Sequence, residues 1–416
     1  MSREKTFFVL SCLLALIFNL HATSVDITTR TFPRFLDSIS DTDTVGFYVP
    51  TYEYLSLNIN DMGIPGLSLH ASGWGRLDIG VDPDDKAGDG DFLFGYLDYR
   101  DSRNYYHIRL GRQFLFRGVA LDNMDGILID STAPYGLVAE VFAGKPVVSK
   151  FEDTASDFLY GARLAYRIPW KLEVGISGLS SQENSETDRQ NLGLDGFAMP
   201  INMVEVSWKL FYSLLYENIY EGTLNIDVNP LSDLRITLSG ETIDPSARIG
   251  ATSIFSVFTE RYLDAGINVE YTLLDSIKLN GSYKNYQFET DNANRFGIGA
   301  TYSAKLFGDN LFGLSFDQLT YSEEPSSETM TGFYQVRLFT ENTFIEKVKF
   351  SLEWIRTIFD QYVYNDNGSD DLTVSAGYKV LKDLNVLGSI YYSKNPRYED
   401  ELQGSVFVNY NFGTTF

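Results

Sequence analysis

Apolar and polar residues alternate with a period of two over much of the chain. In residues 234–241, Leu234, Ile236 and Leu238 fall on one side and Arg235, Thr237, Ser239 and Glu241 on the other. Residues 262–271 repeat this, setting Leu263, Ala265, Ile267, Val269 and Tyr271 against Asp264, Asn268 and Glu270. Val348, Phe350, Leu352 and Trp354 oppose Lys347, Lys349, Ser351 and Glu353; Val406, Val408, Tyr410 and Phe412 oppose Ser405, Asn409 and Asn411. Successive side chains of a strand point to opposite faces, whereas a spacing of two on a helix would scatter these apolar residues around the axis. The pattern therefore predicts strands with one apolar and one polar face.

The connections alternate in length. Short turns are expected at 168–169, 229–233, 274–276, 341–342 and 381–383, and longer acidic or polar stretches at 82–91, 181–191, 241–260, 289–294, 322–330, 363–371 and 394–401. Short turns on one side and long loops on the other are the habit of outer-membrane barrels. An apolar face set in hydrocarbon leaves no water to satisfy a sheet edge, so the sheet must close on itself. The expected fold is all-β: a transmembrane antiparallel β-barrel of about 22 strands with no plug domain. The weaker segments at 27–35 and 190–216 leave 18 or 20 strands open. Residues 25–416 form a single domain in this reading, with short periplasmic turns and longer extracellular loops. A soluble sandwich would bury its apolar faces against a second sheet, which fits so many regular hairpins poorly. A plugged receptor barrel would need an N-terminal globular domain, yet alternation begins by residue 51.

Residues 1–24 read as a cleaved secretory signal: Arg3 and Lys5, an apolar run over 7–20, and the small residues Ala22-Thr23-Ser24. The run is shorter than the roughly 20 residues a spanning helix needs. Cys12 is the only cysteine, so residues 25–416 can form no disulfide, thiolate metal site or CxxCH haem attachment. The whole chain carries −23; removing Arg3, Lys5 and Glu4, which sum to +1, leaves −24. Such a charge excludes nucleic acid as a partner. The expected partners are outer-membrane lipid, lipopolysaccharide and the barrel assembly machinery. Tyr410, Phe412 and Phe416 share one alternating register at the chain end and resemble the C-terminal signal by which outer-membrane barrels are recognised for assembly.

If apolar positions face lipid, the positions between them face a lumen. Residues 67–80 then put His70, Trp74 and Arg76 inside, together with Ser68, Ser72 and Asp78, and 103–112 point His107 and Arg109 the same way. The two histidines lie on strands separated by 91–100, so a metal would need a third ligand from elsewhere; isolated lumen side chains are expected and no metal site or cofactor. Residues 109–126 mix Arg109, Arg112 and Arg117 with Asp122 and Asp125 around Gly118, where the backbone can turn sharply. On the long-loop side this segment can either fold inward as a constriction with opposed charges or stand outward as a loop. A constriction would set size and charge selectivity without catalysis. The acidic balance favours cations, because a low-dielectric wall focuses its charge. No enzyme is expected. His70 and His107 are the only histidines after residue 24, and no GxSxG, GxGxxG, phosphate-binding lysine or HExxH motif occurs.

Six short segments carry a resemblance to a known family: 31–35 (TFPRF), 52–55 (YEYL), 69–76 (LHASGWGR), 110–113 (LGRQ), 121–126 (LDNMDG) and 142–146 (FAGKP). They resemble the porin-like outer-membrane proteins of metal-reducing, sulfur-metabolising deltaproteobacteria, by motif over about 27–220 and by pattern beyond. The resemblance implies either a channel, as in oxyanion-reduction clusters, or the barrel of a porin–cytochrome conduit holding a multihaem cytochrome for extracellular electron transfer. A passive, cation-leaning channel for ions or small hydrophilic solutes is the leading expectation, and the cytochrome scaffold is the alternative.

Overall fold

The computed structural model describes residues 24–38, 46–79, 88–147, 157–244, 261–289, 291–305, 308–322, 331–344, 347–363, 366–396 and 398–415. They form β1 (Ser24–Ser38), β2 (Gly46–Asn60), β3 (Leu67–Ile79), β4 (Gly88–Arg100), β5 (Tyr106–Arg117), β6 (Ala120–Thr132), β7 (Leu137–Pro146), β8 (Phe158–Ile168), β9 (Leu172–Glu183), β10 (Glu186–Ile201) and β11 (Val204–Ser213). The second half contributes β12 (Asn218–Leu231), β13 (Leu234–Ile243), β14 (Tyr262–Leu274), β15 (Ile277–Phe288), β16 (Asn292–Ala304), β17 (Gly308–Tyr321), β18 (Phe333–Phe344), β19 (Val348–Val363), β20 (Asp366–Leu381), β21 (Leu384–Asn395) and β22 (Tyr398–Thr415). The only helical turn among the described residues is Pro134–Gly136, between β6 and β7.

Every strand pairs antiparallel with its neighbours in sequence, and β22 returns to β1, with Ser24 opposite Thr415 and Thr31 opposite Val408. The sheet is therefore a closed barrel of 22 strands, as the alternation requires. Phe32 and Phe407 meet edge to face across this seam, 6.2 Å between centroids. The two weaker segments are real strands, β1 and the pair β10–β11.

One face of each strand is apolar and exposed. On β14, Leu263, Ile267 and Tyr271 are bare, while Asp264 on the opposite face is 2% exposed. The same holds for Ile298 on β16, Leu314 on β17 and Leu338 on β18. A belt of this kind around a closed sheet is stable only in hydrocarbon. No described helix is long and apolar enough to cross a membrane; the strands do so.

Turns at the short end are held by their own side chains. Between β4 and β5, Asp101 Oδ1 accepts the backbone N–H of Tyr106 at 2.8 Å and Oδ2 that of Arg103 at 3.2 Å. The N–H of Tyr106, with smaller help from that of Arg103, holds this carboxyl below the usual carboxylate range.

Two neighbouring strands leave the wall before they end. β4 pairs with β5 only from Arg100–His107 to Gly95–Arg112, and β7 with β6 only from Thr132–Val138 to Met124–Pro146. β5 and β6 nevertheless stay paired with each other out to Arg117–Ala120. Residues 113–123 are the end of a β-hairpin that, among the described residues, pairs with no strand on either side and leaves the wall. At the departure Gly111 has φ 128°, and a Cβ there would lie 2.3 Å from the carbonyl oxygen of Gly95.

Candidate functional site

The free end of the β5–β6 hairpin lies inside the barrel. Its tip turns at Gly118, φ 56°, where a Cβ would sit 2.3 Å from Ser177 Oγ and 3.1 Å from Asp195 Oδ1. The next residue, Val119, donates its N–H to Ser177 Oγ at 3.0 Å. Ser177 and Gly193 oppose one another on the inner faces of β9 and β10, and a Cβ on Gly193 would meet Val119 at 3.0 Å. The tip of the 109–126 segment is thus seated against β9 and β10.

The hairpin is held by an apolar core. Leu115, Val119, Ala120 and Met124 pack with Leu128 of β6, Phe142 of β7, Leu159 of β8, Leu179 of β9 and Phe211 of β11. Leu115, Met124, Leu128 and Leu159 are almost wholly buried, and such burial contributes about 1.5–3 kcal/mol per side chain. The other side of the hairpin carries Phe114, Phe116 and Leu121, all exposed.

Around this core runs a continuous charge ladder. Asp98 of β4 accepts from His107 Nε2 at 2.8 Å and Arg109 Nε at 3.0 Å. His107 Nδ1 lies 3.0 Å from Asp130 of β6, which also receives Arg117 Nη2 at 3.1 Å. Arg117 reaches on with Nε to Glu140 of β7 at 3.0 Å. Arg163 of β8 then links Glu140 at 3.3 Å, Glu173 of β9 at 2.8 Å and Asp195 of β10 at 2.5 Å. Arg167 closes the row on Glu173 at 2.5 Å. Five carboxylates thus meet four guanidiniums and one imidazole. The row is close to neutral; its geometry fixes the hairpin, and any ionic preference must come from other groups. Arg163 and Glu140 are each 6% exposed, so neither carries its charge in water, and each depends on its partners.

The remaining residues singled out in the sequence fall nearby. Asp122, on the hairpin, pairs with Arg189 of β10 at 2.6 Å. Arg112 and Asp125 form a two-pronged pair, 2.8 and 3.0 Å, where the hairpin leaves the wall, and Arg112 also donates to the carbonyl of Phe92. His70 of β3 sits 2.7 Å from Asn58 Oδ1 and meets the Tyr96 ring at a tilt, 5.2 Å between centroids. Trp74 lies 6.0 Å from the ring of Tyr52, and Arg76 pairs with Asp78 at 2.6 Å. His70 and His107 are not brought together on a common ligand, and among the described residues there is no group of three or more potential metal ligands. Tyr410 and Phe412 stand exposed on the outer face of β22; Phe416 and residues 1–23 of the expected signal lie outside the described residues. Asp98, Asp130, Glu140, Arg163, Glu173 and Asp195 escaped the sequence reading. Extending the inner register of each strand reaches all six, but which cation meets which acid depends on the hairpin's docking.

No family model matches the chain, and no curated protein matches it. Solved structures match its fold. The P pilus usher PapC translocation pore is similar with a TM-score of 0.52 at 8% identity, over 94% of this chain and 99% of that one. PapC in an E. coli P pilus tip assembly intermediate, PapC-PapD-PapK-PapG, gives 0.54 at 8% identity, over 96% of this chain and 62% of that one. OccAB4 of Acinetobacter baumannii gives 0.42 at 10% identity, over 95% and 99%. Likeness at this identity shows the fold alone, a large closed antiparallel barrel.

Proposed function

We propose that this protein is an integral outer-membrane channel for passive passage of ions and small hydrophilic solutes. One observation carries the reading. Arg235, Arg295 and Arg337 sit on inner faces, yet their side chains are 53%, 46% and 44% exposed. Ion pairs that point into a closed barrel and still leave about half of each arginine side chain exposed favour a water-filled lumen, since a dry interior would enclose such charges completely. The docked hairpin narrows that lumen from one side. It also favours a channel over a sheath for a multihaem cytochrome, because Val119 and its neighbours take up space that an inserted haem protein would need.

The finer expectations are proposals of the same kind: cleavage near residue 24, short turns in the periplasm, and a preference for cations arising from the −24 of residues 25–416. The resemblance to deltaproteobacterial porin-like barrels fits a channel and a cytochrome sheath alike, so the preference for the channel rests on the lumen and the hairpin. Purified protein in planar bilayers is expected to give discrete conductance steps, with a reversal potential in a KCl gradient that favours K⁺. Closed barrels that pass electrons only after a haem protein is added would overturn the channel.

A further inference from the structure

We infer that the lumen wall of β2–β4, together with the free side of the hairpin, is a binding track for neutral sugars; the inference rests on the channel reading above. Aromatic rings line this side. Tyr52 of β2 lies 6.0 Å from Trp74 of β3. On β4, Phe94 lies 6.0 Å from Tyr96, and the Phe94 row pairs with Ser72, two residues from Trp74. Phe94 then meets Phe114 of the hairpin at 6.5 Å, and Phe114 meets Phe116 at 6.5 Å. Phe114 and Phe116 are 44% and 68% exposed. The hairpin docks through its opposite face, so these rings are not what holds it in place.

The charges beside the rings decide the ligand class. Arg76 lies over the ring of Tyr52 at 5.9 Å and is paired with Asp78 at 2.6 Å. Arg109 lies over Tyr96 at 5.4 Å and is paired with Asp98 at 3.0 Å. Tyr52 and Tyr96 are thus each flanked by a donor and an acceptor of opposite charge. An anion would gain from the guanidinium and lose to the carboxylate, and a cation the reverse. A neutral ring with hydroxyls on its rim uses both, while its C–H face lies on an exposed ring of the track such as Phe114 or Phe116. That is the chemistry of a pyranose.

Maltohexaose added to the protein in planar bilayers is expected to interrupt the current reversibly, with a frequency that rises with its concentration, and to quench tryptophan fluorescence less in Trp74→Phe than in the wild type. Tyr52→Ala combined with Phe116→Ala should shorten the mean block by about tenfold. Phe339→Ala, on the inner face of β18, should leave it unchanged. Open channels that maltohexaose never interrupts would overturn the sugar track and leave the channel standing. Equal blocking by benzoate, or blocks insensitive to the double variant but lost in Phe339→Ala, would also overturn it. A protein that does not conduct, yet whose fluorescence maltohexaose quenches through Trp74, would sink the channel and keep the binding site.

Discussion

The inner faces of β6–β11 and of β16–β19 belong to one continuous sheet, yet the first is dry beneath the hairpin and the second carries ion pairs open to water. On the first, Leu128, Phe142, Leu159, Leu179 and Phe211 are buried beneath the hairpin, along with the charged pair Glu140–Arg163. On the second, Arg295 pairs with Asp317 and Arg337 with Glu353 while all four remain partly exposed. The outer faces do not differ: both carry exposed leucines and aromatics toward lipid. The lesson is that the membrane fixes only one face of each strand. The lumen face is free to become either a channel wall or a core, and its composition decides which.

The largest expected effect comes from removing the cause of the difference. Replacing residues 113–123 by a short Gly-rich turn takes away the covering layer of the dry side. Single-channel conductance should rise severalfold, while heat-resistant migration of the folded barrel in detergent persists, because pairing of β4–β5 and β6–β7 ends before the hairpin's free part. Unchanged conductance in a folded variant would mean that the hairpin does not restrict the pore.

Arg163→Met tests the dry side's electrostatics. It removes the cation of Asp195 and leaves Glu140 and Glu173 with Arg117 and Arg167 alone, and breaking a buried pair by removing one partner costs about 3–5 kcal/mol. The loss should appear as a lower urea midpoint for the folded barrel. A change under about 1 kcal/mol would place the ladder in the class of exposed pairs.

Leu115→Ala should act more locally. The side chain is 1% exposed and its truncation costs about 2–5 kcal/mol, charged to docking of the hairpin rather than to closure of the sheet. Open-channel current noise and protease access to 113–123 should both increase, with the wall intact. A quiet channel would show that Leu115 is not what holds the hairpin.

Much of this contrast was legible beforehand. Closure and a strand number of about 22, with 18 or 20 open, follow from alternation, because the outer face answers to lipid alone. The dry side also left a signal: 137–144 (LVAEVFAG) and 158–165 (FLYGARLA) carry apolar residues on both faces, as strands covered on both sides do. The hairpin was harder to read. Its residues 113–123 mix Gln, Arg, Asp and Asn with large apolar groups, so no single face stands out. Its docking depends on partners far along the chain, such as Ser177, 58 residues from Val119. The ladder is opaque for the same reason: Arg163 and Asp195 are 32 residues apart and two strands removed.

The smallest effect belongs to the wet side, and it completes the comparison. Arg295 Nη2 lies 3.0 Å from Asp317 Oδ1, a distance close to those in the ladder. The arginine side chain is 46% exposed and Asp317 21%, against 7% for the side chain of Arg163. Water solvates both partners before and after the pair is broken, so Arg295→Met should cost only about 0–1 kcal/mol. The same substitution at two lumen arginines therefore separates geometry from solvation. If Arg295→Met lowers the urea midpoint as much as Arg163→Met does, contact distance governs and the wet lumen is drier than its exposed side chains indicate. If its cost is small but the reversal potential shifts further toward K⁺, Arg295 acts as part of a channel wall, where a charge matters to passing ions more than to the fold.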